Sequence, residues 1–259
     1  MKERIITAIC LLAVIIPLVY LGGYWFVGLG LVATSIATWE MMAMDSKKND
    51  VPIWIKAITF IGILLVVFLP SRIDAQLLAS VVAVVLLNIN LVRVKKGQGH
   101  VSFYSLIIFY IGFSFRALLQ IRAHSLTLFI FLVVLVILTD SMAYFAGRFF
   151  GKRKLAPKIS PKKTIEGAIG GWLAGAGFAA FFGWVNHLFT ETWILVVLAI
   201  CLPILSQIGD LVASALKRKY GIKDYGKIFP GHGGVMDRVD SQMLAAILIY
   251  MMMLIGGVV

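Results

Sequence analysis

Residues 126–150 read LTLFIFLVVLVILTDSMAYFAGRFF. No charge occurs before Asp140, and the only other one is Arg148, close to the end. At 1.5 Å per residue a helix of this length exceeds the ~30 Å hydrocarbon core of a bilayer. A run so long and so apolar predicts a membrane-spanning helix. Working outward, the same reading applies to eight further segments: 5–21, 24–44, 53–69, 75–92, 103–121, 164–188, 193–216 and 236–259. The expected fold is an all-α, polytopic bundle of about nine transmembrane helices. Residues 1–123 hold the first five spans, and residues 124–259 hold the catalytic helices with basic loops at 148–163 and 217–238.

Composition agrees. Of 259 residues, 61% are hydrophobic and 14% are charged, against about 25% charged in soluble domains. The opening residues Met1 to Arg4 and the apolar run after them resemble a signal peptide. However, the run continues through Gly22 and Gly23 into a second apolar stretch, with no small-residue cleavage site, so it is read as a retained span. Cys10 and Cys201 lie inside apolar runs without metal-ligand spacing and read as small core residues.

The net charge is +12, and its distribution excludes nucleic acid as the reason. Basic residues gather at Lys2 and Arg4, at Lys47 and Lys48, and at Arg93, Lys95 and Lys96. Seven more lie between Arg148 and Lys163, and six between Lys217 and Arg238. The alternate loops hold only Arg72 and Arg122. This asymmetry predicts that the basic loops and the N-terminus face the cytoplasm. The last two clusters exceed what topology requires and point to an anionic ligand, with anionic headgroups as a competing account.

Twelve acidic residues are spread over the chain. Glu3, Asp45, Asp50, Asp74 and Glu191 read as solvated. Glu40, Asp140, Glu166, Asp210, Asp224, Asp237 and Asp240 fall at or near the cytoplasmic ends of spans or in the loops between them. A carboxylate inside a span costs at least ~2.5 kcal/mol at the centre and usually has a partner and a purpose. Several on one side suggest a divalent metal. Glu40 with Arg116 reads as a structural ion pair. Gly167, Gly170, Gly171, Gly175 and Gly177 read as close helix packing, which small residues favour in membranes.

Residues 207–241 concentrate the polar chemistry. Gln207, Asp210, Ser214 and Lys217 recur at three- and four-residue spacing on one helical face, and Asp237, Asp240 and Ser241 share another. Between them, Pro230-Gly231-His232-Gly233-Gly234 leads into a helix, a setting in which backbone amides suit phosphate.

The 27 residues from Ser214 to Asp240 resemble the signature of the phosphatidate cytidylyltransferase (CDP-diacylglycerol synthase) family, S-x-[apolar]-K-R-x4-K-D-x-G-x2-[apolar]-P-x-H-G-G-[apolar]-x-D-R-[apolar]-D, at every fixed position. Residues 139–167 resemble its second block, TDTxAYxxGRxxGKxKLxPxISPKKTWEG, with Ser141 and Ile165 in place of Thr and Trp. The resemblance implies that CTP and phosphatidic acid give CDP-diacylglycerol and pyrophosphate, with Mg²⁺, at the cytoplasmic face of the cell membrane.

It assigns catalysis to Asp237, Asp224, Asp210, Lys217 and Arg238, and metal binding to Asp237, Asp210, Asp224, Asp240 and Asp140. Substrate binding falls to Ser160, Lys162, Lys163, Thr164, Ser214, Arg218, Lys223, Lys227, His232, Gly233 and Gly234. His232 either orients a phosphate or a metal-bound water, or holds the turn. Asp140 and Tyr144 either contact metal or substrate, or join helices. A second, monovalent cation and a homodimer stay open. A related CTP-dependent lipid kinase, an isoprenoid-lipid cytidylyltransferase and an anionic-solute transporter are the alternatives. The transporter does not explain charges clustered on one side. No D-G-x2-A-R run of a CDP-alcohol phosphotransferase occurs.

Overall fold

The computed structural model describes residues 2–46, 50–69, 101–256 and 258–259. Among them are eight helices and one small hairpin. The helices are α1 (Lys2–Leu21), α2 (Gly23–Ser46), α3 (Ile53–Phe68), α4 (Val101–His124), α5 (Leu126–Phe150), α6 (Ile165–Val185), α7 (Thr192–Lys219) and α8 (Met236–Leu254). The hairpin strands are β1 (Lys154–Ala156) and β2 (Ser160–Thr164). The expected span at 75–92 lies outside the described residues.

Among the described residues, five helical segments are long and apolar enough to cross a membrane: Gly23–Ser46, Phe103–His124, Leu126–Phe150, Ile165–Val185 and Thr192–Lys219. They mark the chain as a membrane protein. Ile6–Leu21 and Ile53–Phe68 are apolar but shorter, and α8 opens on the charged Asp237, Arg238 and Asp240.

The described chain forms two compact units. One comprises Met1–Leu119 and Asp224–Arg238. Its buried apolar residues include Met41, Ile55, Ile63, Ile107 and Ile111. Arg116 is buried here, and its Nη1 donates to the carbonyls of Val66 at 2.9 Å and Leu69 at 3.0 Å. Carbonyls at the end of a helix lack intrahelical partners, so this guanidinium caps α3. Glu40 is bonded elsewhere, as described below, so the expected Glu40–Arg116 pair does not form. Asp45, expected to be solvated, is fully buried within α2.

The second unit comprises Gln120–Lys223 and Val239–Val259. Ser125 caps α5 by accepting from the Leu128 amide, and Thr164 caps α6 by accepting from Gly167 at 3.1 Å. Helices α5 and α6 pack together, and α6 packs on α7. Phe131 stacks with Phe178 and Phe182 and meets Phe189 edge-on. The glycine face of α6 makes the approach possible. A Cβ at Gly167 would stand 2.6 Å from the Ala143 carbonyl, and one at Gly171 2.6 Å from the Thr139 carbonyl. Gly170 meets Ala146 in the same way, and Gly175 meets Thr139 and Pro203. Gly177 differs: nothing lies within 4 Å of its added Cβ, so it is not a packing glycine.

The hairpin departs from the all-helical expectation. Lys154 pairs with Thr164 and Ala156 with Ser160, antiparallel. Pro157 and Pro161 disfavour a helix here. Glu166, in the first turn of α6, accepts from the amides of Lys152 at 3.0 Å and Arg153 at 3.2 Å, tying the start of the hairpin to the helix.

Candidate active site

Each unit carries one polar cluster. In the second, α7 presents Asp210, Ser214 and Lys217 at helical spacing, so all three point the same way. Strand β2 brings Lys163 to them: its ammonium lies 2.5 Å from Asp210 Oδ2, while Ser214 donates to Asp210 Oδ1 at 3.3 Å. Asp140, from α5, lies close enough to Lys163, Asp210 and Ser241 to interact electrostatically with them. Asp240 and Ser241 come from α8. Asp240 Oδ1 accepts from the Ser241 amide at 2.8 Å, and its Oδ2 lies 3.9 Å from the Lys217 ammonium. Lys217 and Asp240 are both buried. Gln207 donates to the Ala168 carbonyl at 3.2 Å, fastening α7 to α6.

Four elements thus bring three carboxylates, two ammonium groups and two hydroxyls into one region. Buried charges need partners, and here they pair across elements distant in sequence. Arg218 holds the hairpin, donating to the Ile159 carbonyl at 3.3 Å and to Ile222 at 3.1 Å. Thr164 is buried as the α6 cap. Ser160 is half-buried, and Lys162 and Lys223 are exposed. Tyr144 is exposed and accepts a long 3.4 Å contact from Arg148, its neighbour one turn on.

The first unit holds the loop before α8. Phe229 and Gly233 exchange backbone bonds of 2.9 and 3.1 Å, closing a tight turn that includes His232. Gly233 has φ +85°, a conformation that favours glycine. Asp237 Oδ2 accepts from the amides of Tyr225 at 2.8 Å and Gly234 at 3.0 Å. Glu40, from α2, accepts from Val235 at 3.1 Å and Met236 at 2.9 Å. Of the turn at 230–234, whose amides were expected to suit phosphate, Gly234 therefore bonds the protein's own Asp237, and the Val235 and Met236 amides that follow bond Glu40. Asp224, Lys227 and Arg238 are exposed.

The sequence supplied Asp140, Lys163, Asp210, Ser214, Lys217 and Asp240 as candidates, and the second unit assembles all six. It did not supply the partners of Glu40, which lie 195 and 196 residues away. A lone acid in an apolar run was the available signal. Among the described residues, no group of three or more His, Cys, Asp or Glu side chains is placed to hold a metal ion by itself.

Two comparisons bear on these residues. Residues 2–255 match the model of the Cytidylyltransferase family. The chain is 36% identical to the phosphatidate cytidylyltransferase of Bacillus subtilis (strain 168), over 98% of this chain and 97% of that protein. It is 34% identical to the phosphatidate cytidylyltransferases of Staphylococcus epidermidis and Staphylococcus saprophyticus, each over 94% of this chain and 95% of the relative.

Proposed function

The chain belongs to the cytidylyltransferase family, and from that membership we propose that it is a phosphatidate cytidylyltransferase, making CDP-diacylglycerol and pyrophosphate from CTP and phosphatidic acid. A phosphate oxygen of the lipid attacks the α-phosphorus of CTP. The bond from that phosphorus to the bridging oxygen of the β-phosphate breaks, and pyrophosphate departs in line. The lipid nucleophile is an existing oxyanion, so no general base is required. The barrier is repulsion between two anions, and fixed positive charge at the reacting phosphates lowers it.

The observation that supports this reading most is the Asp140–Lys163–Asp210–Ser214 cluster, because it joins the two signature blocks through Lys163 and Asp210. Lys163 and Lys217 supply charge for phosphate, and Ser214 and Ser241 supply hydroxyl donors. Ser160, Lys162, Arg218, Lys223, Lys227 and Arg238 are further phosphate contacts on the strength of the sequence resemblance.

The donor set also fits Mg²⁺. Asp140 and Asp210 are hard oxygen donors facing a common cation, the Lys163 ammonium, and Mg²⁺ typically takes one or two carboxylates plus substrate phosphates. Asp140 and Asp210 would hold it, with Asp240 beside them. Asp237 and Asp224 are metal-binding residues by resemblance alone. When bound, Mg²⁺ supplies positive charge that offsets the triphosphate. The topology we propose has about nine spans, with the N-terminus and the reaction at the cytoplasmic face.

Purified protein given labelled CTP and phosphatidic acid tests the reading. Lipid-bound label and pyrophosphate should form in equal amounts, and both should vanish when Mg²⁺ is chelated. Folded protein that makes neither would overturn it.

A further inference from the structure

We infer that Glu40 is a positioning residue for the reaction: its carboxylate anchors the first amides of α8 and thereby holds Asp237 in place. The inference rests on the function proposed above, in which Asp237 serves the metal.

The first amides of a helix have no intrahelical partner, and the helix dipole makes their position favourable for an anion. At α8 that anion is built in. Glu40 is 3% exposed, and each of its oxygens accepts from a separate amide, Val235 and Met236. Asp237 takes the neighbouring Gly234 amide and that of Tyr225 through one oxygen. The two carboxylates are near enough to repel each other, a cost that their four amide hydrogen bonds offset.

The loop glycines point the same way. A Cβ added at Gly234 would meet Glu40 as all three of its nearest neighbours, and one added at Gly226 would also fall on the Glu40 carboxyl. Both glycines therefore leave room for this side chain from α2. Packing alone would be met by an apolar residue of similar size, which needs no oxygens aimed at amides. Glutamine keeps the volume but presents one acceptor, and its NH₂ faces the other amide donor.

Steady-state kinetics on purified full-length variants provide the test, together with thermal melts to establish folding. For Glu40→Gln, kcat should fall about tenfold or more while KM for CTP stays within about threefold, the pattern of a lost transition-state arrangement rather than lost ground-state binding. Gly234→Ala, which displaces Glu40 without removing it, should show the same pattern. In a Glu40→Ala background the added methyl group should cost less than about twofold more, because the two changes act through one contact.

Wild-type kcat in Glu40→Gln would overturn the inference. So would a loss confined to KM, a lowered KM for CTP in Glu40→Ala (the sign that these amides bind nucleotide), or independent multiplication of the two changes. If Glu40→Gln does not fold, Gly234→Ala decides: full kcat there overturns the inference. Wild-type protein that makes no CDP-lipid overturns the underlying reading instead.

Discussion

Lys163 is the residue at which most of the second unit's polar chemistry meets. Its ammonium faces Asp210, which Ser214 also contacts, and Asp140 senses it. Removing that charge has two consequences. Two carboxylates are left close together with like charge, and in the reaction proposed above the substrate phosphates lose a fixed counter-charge. Loss of one preorganised donor to a charge-separating step typically costs about 10²–10³ in kcat. Lys163→Met should therefore lower kcat by about 10²-fold at saturating Mg²⁺. Lys163→Arg should lie between the two, since it keeps the charge but replaces a compact ammonium by a planar fork. Initial rates of lipid-bound label measure both, and a Lys163→Met enzyme within about threefold of wild type would remove Lys163 from the phosphate contacts.

Among the elements, α6 shows how a nearly continuous apolar stretch acquires a defined face. Gly167, Gly170, Gly171 and Gly175 abut α5, and Gly175 also meets Pro203 of α7, whereas Gly177 faces open space. Gly171→Val would force the helices apart, because a Cβ there falls 2.6 Å from the Thr139 carbonyl and 2.7 Å from the Ala143 side chain. Overpacking of this kind costs roughly 1–3 kcal/mol. In thermal denaturation of detergent-solubilised protein, Gly171→Val should melt clearly below wild type and Gly177→Val close to it. Equal melting points for the two variants would contradict the assignment of the packing face. The glycine spacing was visible in the sequence, but which glycines face a neighbour depends on helix rotation, which a uniformly apolar surface does not reveal. The hairpin was hidden for a different reason. Its strands are short, basic and interrupted by proline, so no alternation marks them, and they are fixed by Glu166 and Arg218 rather than by an apolar face. The loop before α8 was legible as a glycine-rich turn. Its amides bond Glu40, and no local pattern links residues so far apart in the chain.

For the whole molecule, charge carries the expectation for what the apolar helices leave open. Spanning helices are symmetric with respect to the bilayer, so their length fixes how many residues cross and not which end faces which side. The +12 net charge, gathered in alternate loops, breaks that symmetry through the positive-inside bias. Lys158 in the hairpin turn and Glu191 just before α7 are both exposed and lie at opposite ends of α6. A helix of 21 residues separates those ends by about 30 Å, close to the hydrocarbon thickness. With Cys10 and Cys201 replaced by Ser, a membrane-impermeant maleimide should label Glu191→Cys in intact cells and Lys158→Cys only in inverted vesicles. The converse pattern would place the basic cluster, and with it Lys163 and Asp210, on the outer face, where cytoplasmic CTP cannot reach it. Labelling of both from one side would mean that α6 does not cross. The expected pattern puts the basic loops, the carboxylates and the nucleotide in one compartment, while the diacyl substrate arrives from the bilayer itself.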